Sequence, residues 1–128
     1  MKYLLDTCTF LWFVADSSEL SPAALKAIED PASEVYLSSV SAWEIGRKYA
    51  RGNLVLPARP EVLIPKIREQ SGIASLPLGE EEAISAEKLP LIHKDPFDRL
   101  LIATAILNGM TLISPDKVFG EYPVRLLW

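Results

Sequence analysis

Apolar residues along the chain fall into two alternating patterns. Short runs of four or five, Lys2 to Leu5, Glu34 to Leu37, Ile73 to Leu76, Thr111 to Ser114 and Val124 to Trp128, have the length and content of strands. Between them lie stretches with helical spacing. One holds Phe10, Leu11, Trp12, Phe13 and Val14. A second starts at Ser21-Pro22, an N-cap followed by proline at the first helical position, and stops at Asp30-Pro31. Ser39 to Arg51 is predicted helical with Gly52-Asn53 as its stop, and Pro60 to Gln70 is predicted helical with Pro65 able to kink or shorten it. Gly79-Glu80-Glu81-Glu82 opens a further helix, and Asp95-Pro96 opens the strongest one, which reaches about Asn108.

Strands alternating with helices predict an α/β domain, a three-layer α/β/α sandwich with a mainly parallel central sheet of four to five strands. At 128 residues and 49% hydrophobic content the chain suits one domain, 1–128, with a sizeable core. No apolar run approaches the roughly 18 residues of a membrane span, and the first residues meet Asp6 before an export signal develops. With a single cysteine, Cys8, no intramolecular disulfide is available, which suits the cytoplasm.

Charge redirects attention to particular acids. A net charge of −4 excludes a nucleic-acid grip spread over the whole surface, so a nucleic-acid substrate would need a local basic patch or bound metal ions. Asp6 ends the first strand and Asp116 follows the fourth, so both belong at the carboxyl edge of the sheet, where open α/β sheets place their sites. Each is also a good cap or turn residue. Asp95 suits the N-cap of the helix opened by Pro96, whereas Asp98 lies in its first turn, ahead of the apolar run Leu100 to Leu107. Glu44 is the most ambiguous, because Ser41-Ala42-Trp43-Glu44 matches a capping box, while Lys48 and Arg51 follow it on one helical face. Four such acids suit a hard divalent cation such as Mg2+, which favours oxygen donors and supports phosphodiester hydrolysis. His93, the sole histidine, lacks the partners of a zinc site and reads most simply as a residue ahead of a helix. Glu80, Glu81 and Glu82 read as a solvated helix start.

The segments Leu4-Leu5-Asp6-Thr7, Ser41-Ala42-Trp43-Glu44-Ile45, His93-Lys94-Asp95-Pro96-Phe97-Asp98-Arg99 continuing to Ala105, and Ile113-Ser114-Pro115-Asp116 together resemble the PIN-domain nucleases, and within them the VapC toxins of toxin-antitoxin pairs. The resemblance spans essentially the whole chain. It implies a magnesium- or manganese-dependent endoribonuclease acting on single-stranded or looped RNA, with catalytic and metal-binding acids at Asp6, Glu44, Asp98 and Asp116. It implies Ser114 as an outer hydrogen-bonding group, a homodimer, and a VapB-like antitoxin whose helix enters an apolar groove. Phe10, Trp12, Phe13 and Trp43 suit either that groove or plain core. Lys48, Arg51, Arg99 and Lys117 are the candidate RNA contacts. The competing functions are a non-catalytic PIN-like scaffold and an aspartate-based phosphatase; the second fits poorly, because Asp6-Thr7-Cys8 lacks the second acid of an Asp-x-Asp motif.

Overall fold

A computed structural model describes residues 1–128. Five parallel strands, β1 (Lys2–Leu5), β2 (Glu34–Ser38), β3 (Ala74–Leu76), β4 (Thr111–Ile113) and β5 (Arg125–Leu127), form one sheet in the order β3-β2-β1-β4-β5. Six helices cover it: α1 (Thr7–Val14), α2 (Pro22–Glu29), α3 (Ser39–Ala50), α4 (Pro60–Ser71), α5 (Glu80–Lys88) and α6 (Pro96–Leu107). The expected α/β sandwich with a parallel sheet is thus observed, with all five strands present. No helix is long and apolar enough to cross a membrane.

The period-2 alternation of the strands divides the core. Leu5, Val35, Leu37 and Ile113 face one side, where they pack with Phe10, Ala24, Ile28, Ile45 and Ile64 from α1 to α4. Leu4 and Leu112 face the other, against Leu101, Ile102 and Ala105 of α6 together with Phe119 and Tyr122. Phe10, fully buried, is therefore core and does not line a groove. Pro65 does not end α4, which runs on to Ser71. It and Glu61, whose carbonyl it leaves without an intrahelical donor, are both exposed, so the freed group is not sealed in the core. Gly72 then ends that helix at φ 68°, a conformation that would strain any other residue.

The strand order fixes where a site can form. Connections leave β1 toward β2 and β3 on one side, and the chain then crosses back to β4 and β5 on the other. Between β1 and β4 the direction reverses, which opens a crevice at their carboxyl ends.

A carboxylate cavity at the switch point

Asp6 follows β1 and is the N-cap of α1, accepting from the Thr9 backbone N–H at 2.8 Å. The expected cap is observed, and the same side chain borders the crevice. Its other oxygen accepts from Ser114 Oγ–H, and Ser114 Oγ in turn accepts from the Asp116 backbone N–H at 3.1 Å. Ser114 is fully buried and so couples the loop after β4 to the acid after β1. Asp116 is exposed and caps the 3-10 turn Lys117–Glu121 through Val118 N–H at 3.1 Å.

Glu44 arrives differently from the capping-box reading. The N-cap of α3 is Ser38, the last residue of β2, whose hydroxyl accepts from Val40 N–H. The strand runs into the helix without a loop, so Glu44 lies in the second turn, too deep to cap. It is 8% exposed, accepts from Thr7 Oγ–H at 2.7 Å, and pairs with Lys48 at 2.7 Å. That carboxylate holds the Lys48 ammonium above its usual pKa range.

Asp95 is the N-cap of α6, accepting from Phe97 and Asp98 N–H, which is the capping role expected of it. Asp98 sits in the first turn with Oδ2 2.7 Å from His93 Nε2. Asp6, Glu44, Asp95, Asp98 and Asp116 line one cavity of about 190 Å3, with Thr7, Cys8, Leu11, Lys48 and Phe119. Sequence reasoning missed His93 and Thr7 as members of this neighbourhood. His93 lies outside any regular element, where spacing carries no directional information, whereas Thr7, directly after Asp6 at a helix start, was open to consideration.

The electrostatics are those of converging like charges. Burial raises the Asp98 carboxyl to about 6, the neighbouring Asp95 and Glu44 charges add to the effect, and His93 opposes it. Cys8 donates toward Asp6 at 3.3 Å; burial, then the Asp6 charge, push its thiol up to about 12, so it stays protonated and unreactive. Lys48 is the one cationic side chain in the cavity lining, against five carboxylates. Donor atoms of His93, Asp98 and Asp116 all lie within 4.8 Å of one another. An under-compensated, oxygen-dominated cluster of this kind fits a hard divalent cation such as Mg2+ or Mn2+.

Of the predicted basic contacts, Lys48 lines the cavity, whereas Arg51 and Lys117 are exposed outside its wall. Arg99 is a correction. It is 5% exposed, and both Nη atoms of its guanidinium donate to the carbonyls of Ala86, Leu89, Pro90 and His93 at 2.8–3.2 Å, so they are committed to the backbone and not to a substrate. It ties the end of α5 and the following segment to α6.

The PIN domain model matches residues 3–124. Ribonuclease VapC22 of Mycobacterium tuberculosis is 30% identical over 115 residues, covering 89% of this chain and 86% of that protein. Among solved structures, VapBC2 from Rickettsia felis, bound to a DNA fragment from its promoter, superposes with a TM-score of 0.75 at 14% identity, covering 100% of this chain and 99% of the other. DNA-bound VapBC from Salmonella typhimurium gives a TM-score of 0.66 at 16% identity, with 99% and 97% coverage. At those identities the two structures bear on the fold alone.

Proposed function

The chain belongs to the PIN-domain family, and on that footing we propose that it is a divalent-metal-dependent endoribonuclease, the toxin of a toxin-antitoxin pair. The observation that carries this reading is the convergence of Asp6, Glu44, Asp98 and Asp116 on one cavity at the switch point of the sheet. The relative named as a ribonuclease supports it.

The four acids are the proposed catalytic and metal-holding groups. A bound Mg2+ or Mn2+ would neutralise the scissile phosphate and lower the pKa of an attacking water. The chain's own residues supply the rest. Thr9 N–H and Ser114 Oγ–H each hold one oxygen of Asp6 and so fix the orientation of its carboxylate at the crevice. Thr7 and Lys48 hold opposite oxygens of Glu44, and the Lys48 ammonium offers countercharge to a phosphate at the cavity wall. His93 orients Asp98 through its Oδ2. A VapB-like antitoxin and a second copy of this chain are the protein partners that the reading implies, in the cytoplasm.

Incubation with single-stranded and looped RNA tests the proposal. Cleavage is expected with Mg2+ or Mn2+, with loss on chelation and near-complete loss in Asp6→Asn. Absence of cleavage for every RNA and both metals would favour a non-catalytic scaffold. Undiminished cleavage by Asp6→Asn would instead reject the site assignment.

Ser114→Ala gives a graded version of the same test. Loss of one hydroxyl frees Asp6 Oδ2 and the Asp116 N–H together, so metal affinity should fall about 10- to 100-fold, the usual penalty for losing a group that orients a ligand. Calorimetric titration with Mn2+ reads this directly; unchanged affinity would remove Ser114 from the proposed site.

A further inference from the structure

Trp43 is 58% exposed, although a large aromatic side chain at helical spacing is normally buried. It stands one residue before Glu44, as Phe97 stands one residue before Asp98, and the two rings meet edge to face with centroids 5.2 Å apart. Two helices thus each contribute an acid to the cavity and, one residue earlier, a ring to this aromatic pair. The Arg47 guanidinium lies 5.6 Å from the Trp43 ring centre. One helical step around, Lys48 lines the cavity wall, and exposed Arg51 continues the row. Arg47, Lys48 and Arg51 gather three cations within five residues of a chain whose net charge is −4.

We propose that Trp43 is a stacking shelf for an unpaired nucleobase of single-stranded RNA next to the scissile phosphate, with Arg47 and Arg51 facing the flanking phosphates. This inference rests on the endoribonuclease reading. An aromatic platform beside a short cationic row is how single strands are held without sequence preference, since every base has a π-face. Charge favours RNA over a second copy of the chain, because a two-fold self-contact through this face would set the same cations against one another.

The test is fluorescence anisotropy of labelled single-stranded oligoribonucleotides in an Asp6→Asn background, in which cleavage is stopped. Trp43→Ala should weaken binding about 10-fold for purine and pyrimidine strands alike, while Trp43→Phe, which keeps a ring, should stay within about threefold. An abasic nucleotide walked along the strand should weaken binding at one position, and that loss should vanish in Trp43→Ala. Arg47→Ala should reduce the salt dependence by about one phosphate contact. Affinity within twofold of background for Trp43→Ala overturns the shelf. So does a change from dimer to monomer in that variant with RNA affinity per chain unchanged, which would assign the face to a second copy. Failure of the endoribonuclease reading would appear separately, as absence of cleavage by the unsubstituted chain.

Discussion

Asp98→Asn is expected to abolish RNA cleavage and, in the same protein, to raise the thermal midpoint of the metal-free chain at neutral pH. Burial, with Asp95 and Glu44 nearby, lifts the folded-state pKa of Asp98 from 3.8 to about 6. The folded chain therefore binds this proton more tightly than the unfolded chain does. The stability linked to it is complete below the unfolded value of 3.8 and is lost as pH rises through about 6. Above that, the folded protein carries the full cost of an ionised, poorly compensated carboxylate. The rise is equivalent to at most about 3 kcal/mol, and with Asp98 partly exposed about 1 kcal/mol is the more realistic figure, or some 3–5 °C. Asparagine keeps an acceptor for His93 and removes the charge. Melting in chelator at about pH 7.5 and pH 4 provides the check, since the advantage of the variant should shrink at the lower pH. Added Mg2+ should stabilise the unsubstituted chain by mass action and leave the variant nearly unmoved. A variant that melts lower at both pH values would contradict this account of the cavity.

Arg99→Ala should have the largest effect on stability. Four backbone carbonyls accept from one guanidinium; that of Pro90 also accepts from Ile92 N–H at 2.9 Å and Tyr122 Oη–H at 2.8 Å, so those of Ala86, Leu89 and His93 are the ones that depend on it. Leaving a buried carbonyl unpaired costs about 1–3 kcal/mol, so losing the donor of three is a large part of the roughly 5–15 kcal/mol that holds a small domain together. The midpoint should drop by about 10 °C or more, or the protein should fail to accumulate in soluble form. Arg99→Lys keeps the charge without the planar fork and should fall between the two. A phosphate-binding arginine would behave in the opposite way, with a raised KM, a changed salt dependence and an unmoved melting curve. Measuring both quantities in Arg99→Lys separates the roles.

Much of the architecture was legible because each signal was local. Proline at the first helical position after Ser21 and after Asp95, and apolar runs of strand length, located these elements to within a residue or two. Asp6 and Asp116 could be placed because a residue that follows a parallel strand must emerge at the carboxyl edge. Glu44 was harder. The Ser41-x-x-Glu44 match was genuine as a pattern, but the earlier Ser38 already held the N-cap, which turns on whether a loop separates β2 from α3. Arg99 and His93 mark the real boundary. A formal charge does not say whether a guanidinium faces solvent or a ring of carbonyls. The segment 89–95, whose path brings His93 to Asp98, has no periodicity from which a direction could be read.

The order of the sheet also has a consequence in time. Asp6 meets Ser114 across 108 positions, because β4 inserts beside β1 and not beside β3. At roughly 5 to 20 residues per second, synthesis of the intervening chain takes roughly 5 to 20 seconds. During that interval β1, β2 and their helices can already form, yet the crevice has only one wall. A chain still on the ribosome thus carries Asp6 and Glu44 but not the cavity they share, and the complete cluster exists only once β4 and Asp116 have been made.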